Sequence, residues 1–78
     1  MNPFPQIVAL FNDEYKLVTN NILDHVGLAV KHSGFQLQTR DQAFAVLEYL
    51  AENGVLDLIE TDTKNFLIKQ KQYGNETN

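Results

Sequence analysis

The first part of the chain carries apolar residues at every third or fourth position, which is the spacing of one face of a helix. These positions are Phe4, Ile7, Val8, Phe11, Tyr15 and Val18. Pro5 suits the first turn, because the N–H that proline lacks has no helical partner there. The pattern fits one helix, or two with a second start at residues 12–14. We expect a break near residues 19–21, where three residues that disfavour helix interiors follow one another.

A second helical stripe follows that break. It consists of Ile22, Val26, Ala29 and Val30. Ser33 and Gly34 mark its end, since glycine commonly follows the last turn of a helix. Residues 35–38 then alternate apolar and polar side chains, a pattern typical of extended backbone. We therefore expect a short extended connector there, with an edge strand as the alternative.

The best-defined helix begins after Thr39. Thr39 and Gln42 have the spacing of a capping box, in which a hydroxyl and an amide satisfy each other's free backbone N–H groups. The sequence predicts a helix from Arg40 to about Asn53, where Asn53 and Gly54 supply the stop. At about 100° per residue its apolar positions return to one face. They are Ala43, Val46, Leu47 and Leu50.

From residue 55 onward the apolar positions alternate with polar ones, as they do in a half-buried strand. Two such runs, residues 55–60 and 66–71, flank a polar segment at 61–65 and predict a β-hairpin. A loop of even length would put Asp57 on the apolar face, so a loop of odd length is expected. The odd loop pairs Leu58 with Ile68, Leu56 with Gln70, and Asp57 with Lys69.

This register gives the hairpin two different faces. One face gathers Leu56, Leu58, Phe66 and Ile68, and a domain of 78 residues must cover it with the stripe of the third helix. We therefore expect Leu47, Leu50, Leu58 and Phe66 to be fully buried together. On the other face Ile59 and Leu67 form a pair, a small apolar patch that needs a cover or a partner.

The fold class that these elements define is α+β. A capped helix that ends in LEYLAENG (residues 47–54) and runs into a hairpin resembles the closing half of a winged-helix domain. In that family the recognition helix ends in two leucines and a glycine before the two strands of the wing. The resemblance covers residues 39–71 and implies one small winged-helix-like domain over residues 1–71, with two or three N-terminal helices. The polar residues 72–78 are predicted to be a disordered tail.

The charge of the chain weighs against DNA as its partner. The net charge is −4. The resemblance implies that residues 40–52 enter the major groove and that residues 61–65 form the wing tip. With the apolar stripe turned inward, however, Asp41, Glu48 and Glu52 face solvent along one line with Ala45, and such a face repels phosphates. A DNA-binding transcriptional regulator is the alternative, with the nucleic-acid contacts made by Arg40, Lys64 and Lys69.

We therefore expect a protein partner with a basic surface, with a homodimer as a further alternative. The candidate partner-binding residues are Asp41, Phe44, Glu48 and Tyr49 on the third helix, and Ile59 and Leu67 on the outer face of the hairpin. Aromatic anchors with a polar rim are typical of protein interfaces. Phe44 and Tyr49 each have a second interpretation, in which the ring covers the edge of the core, and for Phe44 this interpretation is the favoured one. Such a module suits a small phage-type or accessory regulator of a transcription or defence machine.

The sequence contains no motif for catalysis or for a cofactor. It has no cysteine, and His25 and His32 are separated by a helical rise of about 10 Å, too far for both to bind one metal ion. We expect no enzyme activity, no cofactor and no metal site. No signal-peptide pattern begins the chain, and no apolar run approaches the roughly 18 residues of a membrane span. A cytoplasmic protein without a membrane segment is therefore expected.

Overall fold

The computed structural model describes residues 3–36 and 39–71. Within them the chain forms six elements, in the order α1 (Phe4–Val8), β1 (Lys16–Leu17), α2 (Asn20–His32), α3 (Arg40–Glu52), β2 (Leu56–Glu60) and β3 (Phe66–Gln70). The three strands pair antiparallel in the spatial order β1-β3-β2. The α+β class is therefore confirmed, and the sheet has one strand more than the predicted hairpin.

The prediction of a helix continuing to Val18 was wrong. α1 ends at Val8, and residues 16–17 form a strand in which Lys16 pairs with Ile68 and Leu17 with Leu67. The backbone N–H of Val18 continues this edge by donating to the carbonyl of Phe66 at 2.9 Å. Pairing with β3 satisfies the backbone of this segment, and that long-range gain overrides the helical spacing of its apolar residues.

The two long helices begin and end where the sequence predicts. Thr19 caps α2 by accepting a hydrogen bond from the N–H of Ile22 at 3.3 Å, and Gly34 follows the helix with a φ of +93°. The capping box of α3 is complete, with Gln42 N to Thr39 Oγ1 at 3.2 Å and Thr39 N to Gln42 Oε1 at 3.3 Å. Such caps are typically worth about 1 kcal/mol each.

The predicted hairpin register is confirmed. Leu58 lies opposite Ile68, and the loop between the paired strands covers residues 61–65. Thr61 holds this loop, because its N–H donates to the carbonyl of Asn65 at 2.8 Å and its carbonyl accepts from the N–H of Lys64 at 2.9 Å. Lys64 adopts a φ of +63° in the turn, a conformation that is uncommon for a residue with a side chain.

The core lies between the helices and the inner face of the sheet. Its most buried side chains are Ile7, Val26, Leu47, Leu50, Leu56 and Ile68. Leu47 and Leu50 are thus buried as expected, but Leu58 and Phe66 are half-buried, so the prediction that all four are fully buried was wrong. Leu56 and Ile68 take the central positions of the inner sheet face, whereas Leu58 and Phe66, nearer the hairpin loop, lie at the edge of the core.

Two predicted segments fall partly or wholly outside the described residues. Residues 35 and 36 form no strand, and the remainder of that connector, residues 37–38, lies outside them. So does the predicted tail at 72–78. Among the described helices, none combines the length and the apolar content that crossing a membrane requires.

Candidate functional site

The exposed side of α3 is acidic. Asp41, Ala45, Glu48 and Glu52 all face solvent at steps of four, three and four residues, so they follow one line along the helix. We call these four residues the acidic face. The sequence has no Lys or Arg between Arg40 and Lys64, so no cation of α3 beyond its first residue offsets their charge. Such a face attracts a cationic surface and repels phosphates.

Arg40, at the start of α3, is already paired. Its guanidinium lies 3.1 Å from the carboxylate of Asp24 on α2. Both side chains are more than half exposed, so the pair contributes at most about 1 kcal/mol. The pair places the guanidinium of Arg40 beside a carboxylate of α2, at the end of the acidic face.

Phe44 lies on the side of α3 that faces the hairpin. Its ring centroid is 4.6 Å from that of Phe66, with the two ring planes tilted by 52°. Both residues are half-buried. The pair therefore extends the core to its edge, in line with the favoured interpretation of Phe44, and only part of the Phe44 ring is open to a partner.

Tyr49 lies on the opposite flank of α3, beside α1. Its ring is 5.5 Å from that of Phe4, and the residue is 50% exposed. It forms one wall of an open groove of about 580 Å³, which we call the α1–α3 groove. The groove is lined by Phe4, Pro5, Val8, Tyr49, Asn53 and Val55, with the buried Leu50 beneath them. Sequence reasoning missed this groove, because it depends on where α1 packs.

The outer face of the sheet carries an apolar row across all three strands. Leu67 of β3 pairs with Ile59 of β2 on one side, as predicted, and with Leu17 of β1 on the other. Ile59 and Leu17 are 40% and 44% exposed, whereas Leu67 between them is half-buried. β1 therefore shields one side of the predicted Ile59 and Leu67 patch. Leu17 is a third residue of this patch, and sequence reasoning missed it.

A cluster of three polar side chains lies on the same outer face, two residues along each strand from the apolar row. The phenol of Tyr15 donates a hydrogen bond of 2.6 Å to Asp57, and the ammonium of Lys69 lies 4.9 Å from the centre of the Tyr15 ring. The hydrogen bond to the carboxylate raises the pKa of Tyr15 above its ordinary value of 10.0, and loss of solvation and the charge of Asp57 act in the same direction.

The structure places the six predicted partner-binding residues on two sides of the molecule. Asp41, Glu48 and Tyr49 lie on the side of α3 that is turned away from the sheet, and Phe44 is at its edge. Ile59 and Leu67 lie on the outer face of the sheet, because their neighbours Leu58 and Ile68 point to the helix side. One flat partner surface therefore does not contact both sets.

The three cations of the DNA-binding alternative also lie on different elements. Arg40 begins α3 and pairs with Asp24, and Lys64 is exposed in the turn between β2 and β3. Lys69 lies over the ring of Tyr15 on the outer face of the sheet, the side that α3 does not cover. The structure thus does not gather them into one stripe beside α3.

A second groove, of about 660 Å³, separates α2 from the start of α3. The Arg40 and Asp24 pair lines it, together with Lys31 and the small residues Gly27 and Ala43. Leu28 at its rim is 51% exposed. The charged residues of its lining are two cations, Lys31 and Arg40, and one carboxylate, Asp24, so this groove lacks the negative charge of the acidic face.

The two histidines are exposed on α2. His25 Nδ1 lies 2.7 Å from the carbonyl of Asn21, one turn earlier in the same helix. A group of three or more metal-binding side chains does not occur in residues 3–36 and 39–71.

Comparison of the chain with protein-family models, with curated proteins and with solved structures gives no match. The candidate site is therefore defined by the chain's own geometry, with the acidic face and the α1–α3 groove as its two parts.

Proposed function

We propose that this chain is a non-enzymatic, winged-helix-like domain that binds another protein through the acidic face of α3. The order of elements supports the winged-helix-like assignment, because a capped helix leads directly into an antiparallel hairpin. The helical first half adds a short strand to that hairpin and two helices to the core.

The observation that carries the binding proposal is the charge of the exposed side of α3. Its three carboxylates face solvent, and the cation at the helix start is engaged with Asp24 on α2. In a domain that reads DNA through this helix, the corresponding side chains must approach a dense row of phosphates. A basic protein surface instead gains favourable electrostatic steering from the same carboxylates.

The test compares capture of host proteins by three forms of the immobilised domain. The double variant Asp41→Lys/Glu48→Lys reverses the acidic face, while Asp13→Lys/Glu14→Lys makes the same charge change at two exposed residues in the segment between α1 and β1. All four positions are exposed, so the substitutions at Asp13, Glu14 and Glu48 are expected to move stability by no more than about 0.5 kcal/mol, and Asp41→Lys, in the first turn of α3, by about 0.3–1 kcal/mol. Thermal melts check that both variants remain folded.

We expect the wild type and the Asp13→Lys/Glu14→Lys control to retain a partner that Asp41→Lys/Glu48→Lys loses. Retention by all three forms would remove the acidic face from the interface. Loss in the control alone would move the binding site to the segment between α1 and β1.

A further inference from the structure

The α1–α3 groove is open to solvent and is lined mainly by apolar side chains. Its volume of about 580 Å³ lies within the range of ligand-binding clefts. Two aromatic rings, Phe4 and Tyr49, form one part of its wall, and the aliphatic side chains of Val8 and Val55 form another. The amide of Asn53 donates to the carbonyl of Tyr49 at 2.8 Å, so this polar group is satisfied by the helix itself.

Tyr49 connects the groove to the acidic face. The Tyr49 ring lines the groove, and Glu48 and Glu52 are its neighbours on α3, one position before and three positions after it. At about 100° per residue these carboxylates lie roughly 60–100° around the helix from Tyr49, on the side away from the core. Glu52, one turn after Tyr49, therefore lies next to the Tyr49 wall of the groove, and Glu48 lies further round the helix on the acidic face.

We propose that the α1–α3 groove binds a large apolar side chain of a basic peptide segment, whose Lys or Arg residues contact Glu48 and Glu52. This inference rests on the proposed function, and it names the chemistry of the partner at the same surface. Exposed aromatic residues beside a pocket are frequent anchors of protein interfaces, and flanking charges of opposite sign set the register of the bound segment.

Charge complementarity distinguishes this occupant from two others. The backbone N–H of Lys71 donates to the carbonyl of Val55 at 3.0 Å, so β3 ends beside the groove, and residues 72–78 follow. Those residues include Glu76 and no Lys or Arg, so they do not complement Glu48 and Glu52. A second copy of the chain would bring its own acidic face and a net charge of −4. A basic segment is the occupant that the rim favours.

The experiment is a selection of displayed random peptides on the full-length protein, followed by binding measurements with the enriched peptides. We expect peptides that combine Lys or Arg with Phe, Leu or Trp. Tyr49→Ala should weaken their binding about tenfold or more, as truncation of an interface anchor does. The matched control Leu28→Ala truncates an apolar residue of equal exposure on α2 and should leave the affinity unchanged.

The contribution of the two carboxylates is tested by repeating the peptide selection on Glu48→Lys/Glu52→Lys. We expect this variant still to select peptides with aromatic residues and no longer to select Lys and Arg. If the selected peptides are basic but contain no apolar residue, and the wild type and Tyr49→Ala bind them equally well, the groove proposal is overturned and the proposed function stands. Absence of any enrichment for positive charge would overturn both. If peptides are enriched on the Tyr73→Ala variant and not on the wild type, the groove is assigned to residues 72–78. If the protein self-associates and Tyr49→Ala abolishes this association, the groove is assigned to a second copy. Both of these results would overturn the proposal.

Discussion

The phenol of Tyr15 donates a hydrogen bond of 2.6 Å to the carboxylate of Asp57, which lies 42 residues further along the chain. The bond ties the segment before β1 to β2 across the outer face of β3. Lys69 of β3 lies over the Tyr15 ring between them, so β2, β3 and the residue before β1 contribute to one cluster of polar side chains. The bond adds a side-chain contact next to the backbone pairing that joins β1, a strand of two residues, to β3.

The Tyr15 and Asp57 bond predicts a specific alkaline titration. The hydrogen bond favours the protonated phenol and raises its pKa in the folded state, so its contribution to stability is complete below the ordinary pKa of 10.0 and is lost as pH rises through the raised value. Asp57→Asn should shift the absorbance titration of the tyrosines to lower pH. Tyr15→Phe removes one phenol from the titration curve and so shows which part of the curve belongs to Tyr15. Superimposable curves for the wild type and Asp57→Asn would contradict this account of the bond.

Leu50→Ala should destabilise the domain by about 2–5 kcal/mol, because it leaves a cavity beneath the α1–α3 groove in a core of few residues. The measurement is equilibrium unfolding in urea. Leu28→Ala removes the same atoms from a residue that is 51% exposed and should have a much smaller effect. Equal destabilisation by the two variants would mean that α3 does not pack as described.

The rings of Phe44 and Phe66 should show energetic coupling. A tilted aromatic pair at 4.6 Å is expected to contribute about 0.5–1.5 kcal/mol beyond the area that it buries. A double-mutant cycle with Phe44→Leu and Phe66→Leu measures this term by chemical unfolding. Additive effects of the two substitutions would show that the rings do not contact each other in solution.

The elements with strong local signals were predictable from sequence. Thr39 and Gln42 set the start of α3 through a cap that involves four consecutive residues, and the parity of the hairpin loop fixed the register of Leu58 and Ile68. The exposure of Glu48 follows from helical spacing alone. These features depend on neighbours in sequence, which is why a pattern reveals them.

Features that depend on distant segments were not predictable. The apolar residues before Val18 have helical spacing, but β1 exists because Leu17 pairs with Leu67, far along the chain. The α1–α3 groove likewise requires Phe4 to pack against Tyr49. No local signal specifies either contact, and both set the surfaces that a partner meets.

The domain should not bind duplex DNA specifically at physiological salt. The carboxylates of the acidic face oppose the phosphate backbone, and Arg40 is paired with Asp24. Mobility-shift assays with random and genomic fragments measure this. A specific complex in the nanomolar range that disappears with Arg40→Ala would favour the DNA-binding alternative instead.

Site-specific photo-crosslinking at Ala45 tests the central claim most directly. Ala45 is exposed at the middle of the acidic face, so a photoreactive residue there probes the surface without removing a carboxylate. The same residue placed at Leu28, on α2, is the matched control. We predict that crosslinking in the native host joins position 45, and not position 28, to a protein with a basic surface. Crosslinks to protein from position 28 alone, or from position 45 to nucleic acid, would contradict the account.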